Sequence, residues 1–170
     1  MNIFVCLKQT PARDSVIRPA EHEKWIEESD LTYELNEPDA FALEEGLRLK
    51  EENGGEVVAV SAGPKRAVTA IREALAKGAD RGILIEDDGF SQADALATAT
   101  ALAAALTKES PDIVLTGLQS DDVGFGQTGV ILAELLNLPH ASIIVEISNV
   151  FDESLQVKRE LEAGWFQNIE

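Results

Sequence analysis

Residues 57–85 read VVAVSAGPKRAVTAIREALAKGADRGILI, and the fold is decided in this stretch. Val57–Val60 is an apolar run too short for a helix, closed by Ser61-Ala62-Gly63-Pro64. Such a run, bounded by turn residues, predicts a strand buried on both faces. Arg66–Lys77 then repeats Val68, Ile71, Ala74 and Leu75 on one side of a helix, and Gly78 stops it. Gly82–Ile85 is a second apolar run. Strand, helix and strand in so short a span predict a parallel crossover unit, right-handed as such units are.

The alternation extends in both directions. Upstream, Ile3–Leu7 predicts a buried strand ended by Lys8-Gln9-Thr10-Pro11. Residues 12–35 are irregular, and Lys24–Ile26 and Leu31–Leu35 are expected to pair as small antiparallel strands. Asn36 is expected to cap a helix with Pro38 and Asp39 in its first turn, Phe41, Leu43, Leu47 and Leu49 as its apolar positions, and Asn53-Gly54-Gly55 at its end. Downstream, Ser91 reads as the N-cap of an alanine-rich helix reaching about Thr107. Ile113–Leu115 predicts a fourth strand, followed by the loop Gly117–Gly126 and a helix ending near Asn137. Ala141–Ile147 and Leu155–Leu161 are read as a fifth and a sixth strand. The expected class is α/β: a doubly wound, mostly parallel sheet with helices on both faces, Rossmann-like and three-layered. Ligands of such folds sit at the carboxyl ends of the strands, where strand order reverses.

Composition narrows the function classes. The chain has 170 residues, 14 Lys+Arg against 31 Asp+Glu, and a formal net charge of −17, which argues against nucleic acid and anionic membrane surfaces as partners. One cysteine, Cys6, permits no internal disulfide and no cysteine-based zinc site. His22 and His140 read as surface or loop residues and leave little for metal ligation. No apolar run reaches the roughly 18–20 residues of a membrane span. Met1–Lys8 lacks the basic flank of a signal peptide, so a cytoplasmic location is expected. The acid-rich segment 21–52 reads as a solvated face, and Asp87-Asp88 as the turn after the third strand.

The segment richest in chemistry is Gly117-Leu118-Gln119-Ser120-Asp121-Asp122-Val123-Gly124-Phe125-Gly126-Gln127-Thr128-Gly129. It follows a strand and opens a helix, whose first N–H groups, with Gln127 and Thr128, suit a phosphate. Gly124, Gly126 and Gly129 form a formal G-x-G-x-x-G, and Glu146 stands where a ribose-binding acid would be sought. Yet Gly124 comes nine residues after Leu115, whereas the dinucleotide fingerprint starts directly after its strand, so an NAD site is disfavoured. No G-x-x-x-x-G-K-[ST] sequence is present. The plain alternative is a polar connection with Asp121 and Asp122 as helix caps, although thirteen residues is long for an α/β loop.

Five segments in order resemble the beta subunit of electron-transfer flavoproteins: Cys6-Leu7-Lys8-Gln9; Asn36-Glu37-Pro38-Asp39 leading into Ala42–Lys50; Val58–Pro64; Ala74–Gly82; and Gly117–Gly129. The resemblance runs from residue 3 to about residue 163 and implies a nucleotide-binding domain over residues 1–170. It implies a heterodimer with an alpha-type subunit that carries most of an FAD site, while the beta subunit buries an AMP or, in electron-bifurcating members, a second FAD. Carried over by motif, the expected nucleotide contacts are Cys6, Asn36, Glu37, Pro38, Asp39, Ala62, Gly117, Gln119, Ser120, Asp121, Asp122, Val123, Gly126, Gln127 and Thr128. Small Cys6 and Ala62 would let adenine approach the backbone, Gln119, Asp121 and Asp122 would bond ribose or base edges, and Gln127 and Thr128 the phosphate. The bland readings are a buried small residue at Cys6 and pure helix caps at Asn36 and Asp39.

The implied role is an electron carrier with no nucleophile or acid–base catalyst of its own, with a flavin dehydrogenase as a further partner. The rival is a stand-alone adenine-nucleotide-binding sensing or regulatory module. Departures from the family pattern are specific. Gly126 replaces the common Asn before Gln-Thr-Gly, and Arg13 stands where many members carry a tyrosine near the alpha-bound flavin. Family members continue beyond Val157–Glu160 into a partner-recognition loop and a C-terminal arm, which are expected to be absent here. Gly164–Ile169 departs from the family pattern, and Trp165 and Phe166 are expected to form an apolar patch promoting self-association.

Overall fold

The computed structural model describes residues 1–21, 25–151 and 154–170. The chain runs β1 (Asn2–Cys6), β2 (Gln9–Pro11), β3 (Tyr33–Leu35), α1 (Glu37–Asn53), β4 (Glu56–Gly63), α2 (Val68–Lys77), β5 (Arg81–Glu86), α3 (Ala95–Leu106), β6 (Ile113–Thr116), α4 (Thr128–Leu136), β7 (Ile144–Phe151), β8 (Ser154–Glu160) and β9 (Phe166–Ile169). Four strands form a parallel sheet in the order β5-β4-β1-β6. Strand β1 lies in the middle, with Ile3 beside both Val57 and Ile113.

Period-two alternation divides the core between the faces of this sheet. Ile3, Val5, Val57 and Ala59 pack with Leu43 and Leu49 of α1 and Ala70, Ile71 and Ala74 of α2. Phe4, Val58 and Val60 pack the other way, against Ala99, Leu102, Ala103 and Leu106 of α3 and Leu132 of α4. The expected three-layer α/β arrangement is therefore what forms. Gly82 shows how tightly α2 is pressed onto its face: a Cβ there would stand 2.1 Å from Ile71 Cγ2.

Several expectations need correction. Ala141–Ile147 and Leu155–Leu161 do not extend the parallel sheet; the strands there are Ile144–Phe151 and Ser154–Glu160, antiparallel to each other and joined by β9 in a separate three-stranded sheet. The link between β7 and β8 is too short for the crossover that a parallel pair demands. This sheet meets the main core through Ile147, 8 % exposed, and through Arg48 Nη2, which donates to the Ile147 carbonyl at 2.8 Å. The alanine-rich helix starts at Ala95, not after Ser91: Asp94 is its cap, accepting from the Ala97 N–H at 2.8 Å. Asp87 and Asp88 form the expected turn after β5, with Asp87 capping a short 3₁₀ turn over Asp88–Gln92. Helix α2 opens at Val68, after a 3₁₀ turn over Lys65–Ala67. Tyr33–Leu35 pairs antiparallel with Gln9–Pro11, because both flank the end of β1. Of the other expected small strand, Lys24 lies outside the described residues, as does His22, and Ile26 makes a single bridge to Pro19. His140 is exposed, as expected. Phe41, one of the apolar positions expected on α1, is 64 % exposed.

Candidate functional site at the strand-order reversal

In the order β5-β4-β1-β6 the chain leaves β1 for β4 on one side and later enters β6 on the other, so strand order reverses between β1 and β6. Asp39, in the first turn of α1, lies at this reversal and is 6 % exposed. The Lys8 N–H donates to Asp39 Oδ2 at 2.7 Å, and the Gly117 N–H to Oδ1 at 3.0 Å. Glycine is required at 117, since a Cβ there would lie 2.2 Å from Asp39 Oδ1. Burial pushes the Asp39 carboxyl up to about 6, against the pull of the N–H groups and of Lys8. Burial likewise pushes the Cys6 thiol up to about 12, with the Asp39 charge adding to it, so Cys6 is a neutral packing group.

Asn36 begins α1 but does not cap it with its side chain. Its carbonyl accepts from the Asp39 and Ala40 N–H groups, while its amide reaches across to the loop after β6. Nδ2 donates to the Gln119 carbonyl at 3.2 Å, and Oδ1 accepts from the Asp121 N–H at 3.0 Å. Lys8 Nζ adds bonds to Ser120 Oγ at 3.1 Å and Asp122 Oδ1 at 2.6 Å. Burial raises the Asp122 carboxyl, but bonds from Lys8, Ser120 and the Val123 N–H outweigh it and hold the group below the usual range. Arg13 pairs with Glu37 and, at 3.3 Å, with Asp121.

These bonds differ in strength. The Arg13 and Glu37 side chains are 62 % and 53 % exposed, and such a pair contributes about 0–1 kcal/mol. Asn36 is 1 % exposed. Breaking its bonds to the loop would leave its own buried amide unpaired, at about 1–3 kcal/mol per group. Asn36 and Asp39 therefore govern the course of the loop.

The family described as Electron transfer flavoprotein domain matches residues 24–169. The chain belongs to the electron transfer flavoprotein beta-subunit family. It is 38 % identical over 173 residues to the electron transfer flavoprotein subunit beta of Methylophilus methylotrophus, with 100 % of this chain and 66 % of that protein covered. The subunit beta of Thermoanaerobacterium thermosaccharolyticum is 39 % identical over 166 residues, covering 97 % of this chain and 63 % of its own. Protein FixA of Azorhizobium caulinodans is 40 % identical over 172 residues, with 96 % and 60 % covered. The chain thus spans about three fifths to two thirds of the length of these relatives.

Within this electron transfer flavoprotein fold, the expected site residues fall into two groups. Cys6, Asn36, Glu37, Pro38, Asp39, Gly117, Gln119, Ser120, Asp121 and Asp122 gather around the β1–β6 outlets, and most are joined by the bonds above. Ala62 lies one strand over, half-buried near the end of β4. Val123, Gly126, Gln127 and Thr128 follow along the loop and make no hydrogen bond to α1 among the described residues. Gly126 has a φ of +61°, and Gln127 leaves the first turn of α4 without a side-chain cap. Lys8 was not among the expected site residues, although a cation just past the central strand at a strand-order reversal was a readable signal.

The donor set fits an anionic group such as a phosphate. Uncapped N–H groups at the start of α4 and the Gln127 and Thr128 side chains are anion donors. In addition, Thr10 Oγ1 and Ser61 Oγ are buried without a hydrogen-bond partner. No group of three or more His, Cys, Asp or Glu placed to hold a metal occurs among the described residues. No helix among them is long and apolar enough to cross a membrane.

Proposed function

We propose that the chain acts as a beta-type subunit of an electron-transfer flavoprotein, binding an adenine nucleotide and supporting electron transfer through a flavin held together with an alpha-type subunit. The observation that carries this is family membership coinciding with a site at the strand-order reversal, where Asn36 and Asp39 hold the 117–127 loop. The nucleotide would be AMP or a second FAD. Cys6 and Ala62 leave room for adenine against the backbone, the loop from Gln119 to Asp122 offers polar groups to ribose and base edges, and Gln127 and Thr128 meet the phosphate. The flavin supplies the redox chemistry, and this chain's residues bind and orient. Arg13 brings positive charge towards the flavin side, offset by Glu37 and Asp121. A flavin-dependent dehydrogenase in the cytoplasm is the proposed electron source.

Denaturing the purified chain and quantifying released AMP and FAD tests the binding claim. Co-expression with an alpha-type subunit tests the rest. The expected result is a yellow one-to-one heterodimer with bound nucleotide. A colourless monomer that releases AMP would mark a stand-alone nucleotide-binding module instead. A chain that holds no nucleotide and takes up neither AMP nor FAD overturns both.

A further inference from the structure

Where strand order reverses, doubly wound domains direct N–H groups towards an anionic ligand. Here the N–H groups of Lys8 and Gly117, facing each other across the reversal, are both taken by one internal carboxylate. We infer that Asp39 is the positioning residue of the nucleotide site: it ties the outlets of β1 and β6 together and, with Asn36, sets the course of the 117–127 loop without touching the ligand. The inference rests on the nucleotide-binding reading above.

Each carboxylate oxygen accepts a backbone N–H, and Asp39 is only 6 % exposed, so the group faces the backbone of the two strand outlets. Gly117 is the complementary half of the device, because any side chain there would expel the carboxylate. Simple packing does not explain an acid at this position, since a buried charge is costly and a neutral residue would fill the space. What an ionised carboxylate supplies is acceptor character at both oxygens; an asparagine must turn its NH₂ towards one of the two N–H donors.

Protonation should have the same effect as that substitution. The carboxyl, pushed up to about 6 mainly by burial, is ionised at pH 7.5 and largely protonated at pH 5. Cys6 on β1 and Lys8 at its outlet are the titratable groups that act on Asp39. On the other elements packed there, Glu37 of α1 and Asp121 of the loop turn to Arg13, Asp122 turns to Lys8, and the uncharged Thr116 ends β6 before Gly117. Cys6 stays neutral throughout this range.

The test uses the 170-residue chain, Asp39→Asn, amide hydrogen exchange, and equilibrium binding of AMP and FAD at pH 7.5. The expected result is at least tenfold faster exchange at Gly117 and Asp121 and at least tenfold weaker nucleotide binding, with helices α2 and α3 as protected as before. In the unmodified chain, lowering the pH to 5 should release the same two amides, after correction for intrinsic exchange, and weaken FAD binding. FAD is the probe for this arm because its pyrophosphate does not titrate in that window. The Asp39→Asn chain should show neither response to pH. Unchanged Gly117 protection or unchanged affinity in Asp39→Asn overturns the inference. Should that variant fail to fold, the pH response of the unmodified chain decides, and a flat profile overturns it. If the unmodified chain binds neither AMP nor FAD, the functional reading fails, and the exchange data alone decide whether Asp39 positions the loop.

Discussion

At Asp39, the stability of the fold and the order of the site respond to pH in opposite directions. Its carboxyl ordinarily titrates near 3.8 and is pushed up to about 6 in the folded chain, chiefly by burial. The native state therefore keeps a proton over a range where the unfolded chain has lost it. This contribution to stability is complete below the unfolded value and is lost as pH rises through the folded one. A separation of about two pH units corresponds to about 3 kcal/mol. Urea melts of the unmodified chain and of Asp39→Asn isolate this group from the other acids. The unfolding free energy of the first minus that of the second should grow by about 2–2.5 kcal/mol as pH falls from 7.5 to 4. A difference that stays flat would mean that burial does not raise this group. The sequence made Asn36 and Asp39 legible as polar residues at a helix start, since that is all a cap pattern encodes. It did not reveal that their side chains serve Gln119, Asp121 and Gly117, because those partners lie some 80 residues away and meet α1 only through the sheet.

The start of α1 and the loop after β6 form one unit, and Asn36 allows its two roles to be separated. Its backbone opens the helix while its amide holds the loop. Serine is as good an N-cap, but its short hydroxyl cannot span to Gln119 and Asp121. Asn36→Ser should therefore leave the helical circular dichroism unchanged. It should cost about 1–3 kcal/mol through the loss of two hydrogen bonds and make residues 117–127 the first site of limited proteolysis. Loss of α1 itself, seen as a drop in helicity, would show that the side chain supports the helix instead. The four parallel strands were legible because each is apolar on both faces, as Ile3–Val5 and Val57–Val60 show. Strands β7 and β8 were assigned to the wrong sheet because a short apolar run carries no record of its partner. Ile144 and Val157 would suit either sheet, and only the brevity of the β7–β8 link separates the two.

For the molecule as a whole, a net charge of −17 opposes an apolar face. Ile143, Val145, Leu161, Trp165 and Phe166 are 49, 51, 43, 73 and 51 % exposed. Backbone bonds from Glu160 to Ile143 and from Leu161 to Trp165 bring three of them together on the small sheet. Lys158 Nζ stands 4.6 Å from the centre of the Phe166 ring and partly shields it. A patch on the order of a few hundred Å² yields several kcal/mol at about 25 cal/mol per Å². Association costs about 4–15 kcal/mol before repulsion is counted, so any self-association through this face is weak. Repulsion between two acidic copies reaches about 30 Å at 10 mM salt and only about 3–5 Å at 0.5–1 M. We therefore expect sedimentation velocity to show a monomer at low salt and a concentration-dependent dimer near 0.5 M sodium chloride. Trp165→Ser with Phe166→Ser should abolish that dimer and leave the melting temperature within a few degrees, because both side chains stand outside the core. A dimer that survives the double substitution would move the contact to another surface, and a dimer strongest at low salt would mean that opposite charges, not this apolar face, hold it.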